Sequence, residues 1–347
     1  MAKTKHKGLK IFAAIALTLI VIALALGWYI RSTVFKPLQV NETVYIYITP
    51  DTQYDDVIAQ IKEKVDLPSE KMFDIISERM NYPYGVKTGR YAIKDGMTVP
   101  ELIRVLRAGN QTPTKLTFNN MRTKEDLAGR ISEQLMIDSL SLLSALKDTA
   151  TITNLGFNHN TVVAMFIPNT YEVYWDTSVE RLLGRMQKEY NAFWNESRKA
   201  KADKIGLKPI EVSTLASIVE EEATYTDEYA IVAGLYLNRL KRGQRLEADP
   251  TVKFALQDFG LRRILYKHLE VESPYNTYRN EGLPPGPIRI PSIQGIDATL
   301  SPTEHNYLFM VAKDDLSGRH SFSTTHAEHA RKARKYQQAL NERKIYK

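Results

Sequence analysis

The chain has 347 residues, of which 43% are hydrophobic and 25% charged, so it has the composition of a globular protein and the length of about two domains. It contains no cysteine, which excludes disulfides, thiol catalysis and cysteine-bound zinc. The formal net charge of +7 favours an anionic partner. Because the sequence carries no nucleic-acid motif, we expect a membrane or an anionic polymer and no nucleic acid.

The N-terminus is predicted to be a membrane anchor. Residues 1–10 are rich in lysine, and the uncharged run Ile11–Ile30 is long enough to span a bilayer. The positive-inside rule then predicts a cytoplasmic basic tail (1–10), a transmembrane helix (11–30) and an extracytoplasmic remainder, as in a single-pass inner-membrane protein. A cleaved signal peptide is the alternative, since Ala23-Leu24-Ala25 resembles a cleavage site. The apolar run continues past that point, which favours a retained anchor.

Residues 42–110 are predicted to form a small α+β module with a β-α-α-β pattern. The predicted elements are a strand at Val44–Ile48, helices at Tyr54–Lys64 and after the cap Ser69, a strand at Gly89–Ile93, and a further helix between Thr98 and Gly109.

Residues 114–347 are predicted to form a larger, mixed α+β domain. The predicted elements are a strand at Lys115–Phe118, a helix capped by Thr123, helices at Val179–Arg198 and Asp227–Arg242, a helix-like segment from Ser301, a strand at Tyr307–Ala312, and a basic helix at Ala327–Lys347. Clustered Pro, Gly and Asn predict a long loop at Ser273–Ser292.

The helix after Pro209 carries the strongest catalytic candidate. Leu215, Ile218 and Val219 form an apolar stripe, and Glu222 follows on the same face. Glu220 and Glu221 are predicted to point away from that face. A carboxyl group at the end of a buried stripe stays protonated more readily, as a general acid must. The alternative is a solvated run of acids at the end of a helix.

With these segments in order, the chain resembles the endolytic murein transglycosylases, the YceG-like or MltG family. The signatures are FIPNTYEVYW (Phe166–Trp175), LASIVEEEA (Leu215–Ala223), NRLKRGQRLEADPTV (Asn238–Val252), SPYNTYRNEGLPPGPI (Ser273–Ile288) and GRHSFSTTHAEH (Gly318–His329). Five such motifs in the right order make the resemblance specific, and it covers nearly the whole chain.

The resemblance implies a membrane-anchored lytic transglycosylase that cuts nascent peptidoglycan glycan strands without a cofactor, near penicillin-binding proteins. It implies that the small module is LysM-like and that the larger domain is catalytic. The last acid of the family pattern falls on Glu222, and Glu220 matches a second acid. Glu221 stands where the family often has Lys, and we expect its charge to raise the pKa of Glu222. The alternatives are a non-catalytic peptidoglycan-binding scaffold and a hydrolytic muramidase.

Other polar and aromatic residues are weaker candidates, each with a structural alternative. Asp249 is the best second acid, and the sequence favours a role in capping or bracing a turn. The further candidates for substrate binding are Asn169, Tyr171, Asn276, Thr277, Tyr278, His320 and Ser323. We predict no metal site, because no HExxH motif occurs and His326 and His329 fit an ordinary helix. We predict no Ser–His hydrolase, because no GxSxG elbow is present.

Overall fold

The computed structural model describes residues 2–261 and 263–343, and it divides into two compact units. The first comprises Met1–Lys115 together with Glu172–Asp176, and the second comprises Leu116–Tyr171 and Thr177–Lys347. The short segment Glu172–Asp176 therefore belongs with the first unit, whereas the sequence placed it inside the larger domain.

The chain begins with helix α1, Ala2–Thr33, so the lysine-rich tail is helical as well. Its stretch Leu9–Thr33 has a mean hydropathy of 2.7 and is not buried against the rest of the molecule. Within the described residues it is the helix that is long and apolar enough to cross a membrane. Apolar side chains such as Phe12, Leu24 and Trp28 are exposed and are not covered by any other described part of the chain, which suggests a membrane anchor.

The module in the first unit has the predicted elements. They are β1 Val44–Ile48, α2 Tyr54–Lys64, α3 Glu70–Arg79, β2 Gly89–Ile93 and α4 Val99–Ala108. The strands β1 and β2 pair antiparallel, with Ile46 opposite Tyr91. The Ser69 hydroxyl caps α3 by accepting from Met72 N, and Gly109 ends α4 in the left-handed conformation. These local signals explain why the predicted bounds agree with the structure.

The rest of the chain is mainly helical. Its elements are β3 Thr114–Thr117, α5 Lys124–Ser132, α6 Ser139–Lys147, α7 Thr149–Asn154, β4 Thr170–Val173, α8 Val179–Phe193, α9 Glu196–Ile205, α10 Pro209–Glu222, α11 Tyr229–Lys241, α12 Asp249–Leu256, α13 Tyr266–Leu269, α14 Ile293–Leu300, β5 Phe309–Ala312, β6 His320–Ser323 and α15 His326–Glu342. The strands form two-stranded sheets, β3 with β4 and β5 with β6. The mixed α+β class is confirmed.

Helix α10 is the centre of the second unit and is buried on all sides from Val212 to Glu220. It packs against α11, α12 and α14. Its side-chain hydroxyl groups donate hydrogen bonds to carbonyl groups of the same helix, and Thr214, for example, donates to the carbonyl of Ile210. These hydroxyl groups can therefore be buried at little cost in free energy. The predicted stripe of Leu215, Ile218 and Val219 is buried, but the other faces of the helix are buried as well for most of its length.

Three predicted segments differ from the structure. The helix predicted at Val179–Arg198 is two helices, because Asn195 accepts from Arg198 N and starts α9. The segment from Ser301 is irregular, since the helix α14 ends before it. The basic helix predicted to reach Lys347 is described to Glu342, and residues 344–347 of that prediction lie outside the described residues.

Candidate active site

The candidate site is a cleft of about 240 Å3 at the C-terminal end of α10. It is lined by Glu222, Leu235, Tyr236, Arg239, Leu246, Glu247, Asp249, Tyr278, Met310, Val311, Ala312 and His320. A larger cavity of about 810 Å3 lies in the first unit. Of the two, the cleft brings a carboxyl group with a perturbed pKa together with hydrogen-bonding partners, which is typical of an active site.

Glu222 is the last residue of α10, and its carboxyl group is partly buried in the cleft. Burial, and then the negative charge of Asp249, raise its pKa to about 7. The hydroxyl of Tyr236 donates to Oε1 at 3.1 Å, and this bond, Lys253 and Arg239 act in the opposite direction on the pKa. The net result is a carboxyl group that holds its proton near neutral pH, as a general acid must.

Tyr236 is a site residue that the sequence analysis missed. It lies on α11 among apolar residues and is buried. A buried tyrosine hydroxyl needs a hydrogen-bonding partner, and here the partner is Glu222. A tyrosine among apolar residues on a helix therefore indicates a buried hydroxyl that needs a partner. Only the packing of α11 against α10 identifies that partner as Glu222.

Asp249 opens α12, and its carboxylate lies in the cleft rather than capping the helix, whose cap residue is Ala248. The hydroxyl of Tyr278 donates to Asp249 Oδ1 at 2.7 Å. The structure therefore brings together two predicted candidates, one from α12 and one from the long loop. The same bond joins the long loop to the start of α12, so the predicted bracing role of Asp249 stays a prediction beside a role in the cleft.

His320 also lies in the cleft, and a buried acid holds it there. Glu228, in the short 3₁₀ turn Thr226–Glu228, accepts from His320 N through Oε1 and from Nδ1 through Oε2, each at 3.0 Å. The Glu228 side chain is only 7% exposed. In the described part of the chain, His320 Nε2 makes no hydrogen bond, so it is the ring nitrogen available to a ligand. Glu228 was not predicted from the sequence.

The two acids before Glu222 belong to a separate group, the arginine cluster (Arg122, Arg289, Glu220 and Glu221). Glu221 binds Arg122 at 2.9 Å and Arg289 at 2.8 Å. It is thus compensated by two cations, and the expectation that it raises the pKa of Glu222 was wrong. The charge that does so is that of Asp249.

Glu220 is the most buried of the three acids, with a side chain only 3% exposed. It accepts from the backbone N of Ser292 at 2.9 Å and from the Ser292 hydroxyl, and it lies 3.7 Å from Arg289 Nε. The prediction that it points away from the buried face was wrong, because that side of α10 packs against α14. Its contacts hold the start of α14 and do not face the cleft.

Two of the predicted loop residues are buried and support the loop that carries Tyr278. Asn276 and Thr277 are fully buried. The Asn276 amide donates to the carbonyls of Leu269 and Val271, and the Thr277 hydroxyl accepts from Ala248 N at 3.0 Å. Burial excludes direct contact with a sugar, so these side chains shape the loop that carries Tyr278.

Three other candidates lie away from the cleft. Tyr171 is buried and donates to the carbonyl of Ile167, so it is a core residue. Asn169 is exposed and accepts from Thr170 N at 2.8 Å, and it does not line the cleft. Ser323 is buried in β6. Among the described residues, no group of His, Asp and Glu is arranged to hold a metal ion.

The sequence model of the YceG-like family matches residues 46–335. A Bacillus subtilis protein named endolytic murein transglycosylase is 30% identical over 317 residues, which cover 87% of each chain. A Streptococcus pneumoniae protein of the same name is 24% identical over 85% of this chain and 59% of its own length. The crystal structure of a putative yceG-like protein from Listeria monocytogenes superimposes with a TM-score of 0.57 at 27% identity, over 84% of this chain and 99% of that one.

Proposed function

The chain belongs to the YceG-like family, and we propose on that premise that it is an endolytic murein transglycosylase acting on the bond between MurNAc and GlcNAc in peptidoglycan glycan strands. The observation that carries the proposal is the carboxyl group of Glu222, which sits in an open cleft with its pKa raised to about 7. The two named relatives support the substrate class.

In the proposed reaction Glu222 acts twice. The protonated carboxyl group first donates its proton to the glycosidic oxygen, and the bond from that oxygen to C1 of MurNAc breaks. The resulting carboxylate then takes the proton of the MurNAc C6 hydroxyl, whose oxygen closes on C1. The product has a 1,6-anhydro end, no water is consumed, and Glu222 recovers its proton. The Tyr236 hydroxyl, 3.1 Å from Oε1, stabilises the carboxylate between the two steps.

Asp249, Tyr278 and His320 are proposed to bind the sugar rings beside the broken bond. All three line the cleft, and each presents a different hydrogen-bonding group to it. Glu228 fixes the orientation of the His320 ring, so that Nε2 points to the substrate.

A hydrolytic muramidase is the second candidate, because Asp249 places another carboxylate in the same cleft. Such an enzyme needs a second carboxylate as nucleophile or base. The bond from Tyr278 to Asp249 occupies one oxygen of that group and favours a binding role instead.

The test is a digestion of purified glycan strands by the full chain, with the new ends identified by mass spectrometry. The proposal expects anhydro ends within the strand, each lighter by one water than the reducing end that hydrolysis leaves. Reducing ends would establish the muramidase, and unchanged strands would leave only a binding protein. The Glu222→Gln variant, treated identically, controls for contaminating activities.

The membrane topology is also proposed. Helix α1 anchors the chain in the inner membrane, with its N-terminus in the cytoplasm and the rest outside, where glycan strands lie. A reporter fused to the C-terminus should be active only outside the cytoplasm, and a mature chain that begins near Leu26 would refute the retained anchor. Chemical cross-linking of the anchored chain should capture penicillin-binding proteins, and their absence would refute that partnership.

The module is proposed to be LysM-like and to bind glycan. On its β1 strand Tyr47 is exposed, and its ring packs edge-on against Trp175 at 5.0 Å, so the pair offers an aromatic surface to a sugar. In the test, the inactive Glu222→Gln chain is sedimented with insoluble peptidoglycan, with and without Tyr47→Ala. Equal sedimentation of the two would refute this contact, while the catalytic proposal would stand.

A further inference from the structure

Helix α12 connects the cleft to two further cavities. Its first residue, Asp249, lines the cleft. Its next turn lines a small cavity of about 40 Å3 through Lys253 and Phe254. Phe254 and Gln257 also line a third cavity, of about 200 Å3, which we call the Lys124 pocket. Eight helical residues extend about 12 Å, so a bound chain that follows α12 leads from Glu222 to the Lys124 pocket.

The Lys124 pocket contains a lysine that makes no salt bridge among the described residues, although Glu125, which also lines the pocket, acts on its charge from a distance. Lys124 Nζ donates to the carbonyl of His159 at 3.1 Å, and within the described residues no carboxylate lies within salt-bridge distance of it. The neighbouring Glu125 is held instead by Lys147, at 2.6 Å. Half-burial lowers the pKa of Lys124, which shows that its charge is poorly solvated. An anion from outside the chain would relieve that cost.

The other cation of the pocket differs in this respect. Arg122 is already bound by Glu221 at 2.9 Å, as part of the arginine cluster. The charge available to a ligand is therefore that of Lys124. The wall opposite is aromatic, with the rings of Phe254 and Tyr275 4.7 Å apart. A lysine beside aromatic rings suits a carboxylate carried on a short organic group.

We propose that the Lys124 pocket is a subsite for a carboxylate of the murein substrate whose glycan occupies the cleft. This inference rests on the proposed function. Two parts of the substrate carry such a group: the stem peptide, and the lactyl group of MurNAc that has lost its peptide. Binding of this carboxylate in the Lys124 pocket, away from the bond that is cleaved, would hold the strand in position while Glu222 acts.

The experiment measures kcat and KM of the full chain on peptide-bearing and on peptide-free glycan strands. Lys124→Gln should raise KM about tenfold, equivalent to about 1.4 kcal/mol of binding, with little change in kcat, and Lys124→Arg should restore KM. A rise confined to peptide-bearing strands assigns the pocket to the stem peptide, and a rise confined to peptide-free strands assigns it to the free lactyl carboxylate. A rise on both shows that the pocket accepts either carboxylate. Arg130→Gln is the matched control, because Arg130 lies on the same helix α5, pairs with Glu133 and does not line the pocket.

The proposal is overturned if Lys124→Gln leaves KM unchanged on both substrates, or if Arg130→Gln raises KM equally. Should the parent chain form no anhydro ends, the proposed function fails first. Binding is then measured directly, by comparing the affinity of peptide-bearing and peptide-free strands for the Glu222→Gln chain and for the same chain with Lys124→Gln. Equal affinities would show that the pocket takes no carboxylate.

Discussion

Two groups of acids meet at the C-terminal end of α10, and the protein treats them in opposite ways. In the arginine cluster, Glu220 and Glu221 lie against arginines and hydrogen-bond donors. In the cleft, Glu222 has one tyrosine donor and a second acid, Asp249, nearby. Residues that are adjacent in sequence thus lie in different electrostatic environments.

The difference shows what makes an acid useful for catalysis. An acid that is fully paired with cations remains ionised and serves the structure. An acid that is desolvated and lacks a close cation keeps its proton near neutral pH, and so it can donate that proton. Mutations can alter the paired acids and the acids of the cleft separately.

The largest effect is expected for Glu222→Gln, which keeps the shape but cannot transfer a proton. General acid–base catalysis by one group contributes about 10²–10⁴-fold, and since this group serves both steps, the loss should reach the upper end. The measurement is the rate at which anhydro ends form. Glu221→Gln, from the arginine cluster, is the control and should remain active. Near-normal product from Glu222→Gln, with Glu220→Gln inactive, would transfer the acid to the arginine cluster.

The second-largest loss of activity is expected for Glu228→Gln, because the amide cannot hold the His320 ring as the carboxylate does. Misplacement of a group by about 1 Å can cost about 10²-fold in rate, and we expect a loss of that size in kcat/KM. Asp227→Asn is a matched control, since Asp227 is the adjacent acid, exposed, and paired with Arg319 at 3.0 Å. If both variants lose activity equally, the contact between Glu228 and His320 has no special role in catalysis.

A smaller effect, dependent on pH, is expected for Asp249→Asn. The parent should lose activity as pH rises through about 7, because Glu222 must be protonated to act. Removing the charge of Asp249 lowers the pKa of Glu222, so the loss should begin at lower pH. A pKa lower by one would reduce the rate about tenfold at alkaline pH. Glu247→Gln is the control, because Glu247 lines the cleft but binds Arg239. An unshifted alkaline limb in Asp249→Asn would contradict this account.

The smallest effect on the rate of cleavage is expected for Glu220→Gln. The same variant should clearly lower the free energy of unfolding. The amide oxygen can keep both hydrogen bonds from Ser292, but the amide nitrogen then replaces the carboxylate oxygen that lies 3.7 Å from Arg289 Nε. Placing one buried donor against another costs about 1–3 kcal/mol. Denaturant unfolding at pH 8 measures the loss.

Glu222→Gln is the comparison in that experiment and should not lose stability. The pKa of Glu222 is higher in the folded chain, about 7, than its ordinary value of 4.5, so its ionisation removes stability between those pH values. The amide removes that penalty. Equal destabilisation of the two variants would show that both acids serve the structure.

The module illustrates what can be predicted from sequence. A hydroxyl cap at Ser69, a left-handed glycine at Gly109 and the alternation of β1 each depend on a few neighbouring residues. The apolar composition of α1 is a local property of the same kind. Even the failure at Val179–Arg198 was local, since Asn195 is a recognisable cap inside the predicted helix.

The sequence by itself determined the long apolar helix α1, the helices and strands of the module and the position of Glu222 at the end of its helix, because capping, periodicity and hydropathy act over a few residues. The tertiary structure decided which acid is desolvated and which is neutralised. Glu228 and His320 are 92 residues apart, and Asp249 and Tyr278 are 29 apart. Burial and the electrostatic field at a carboxyl group are sums over everything packed around it, and those neighbours exist only once the chain has folded.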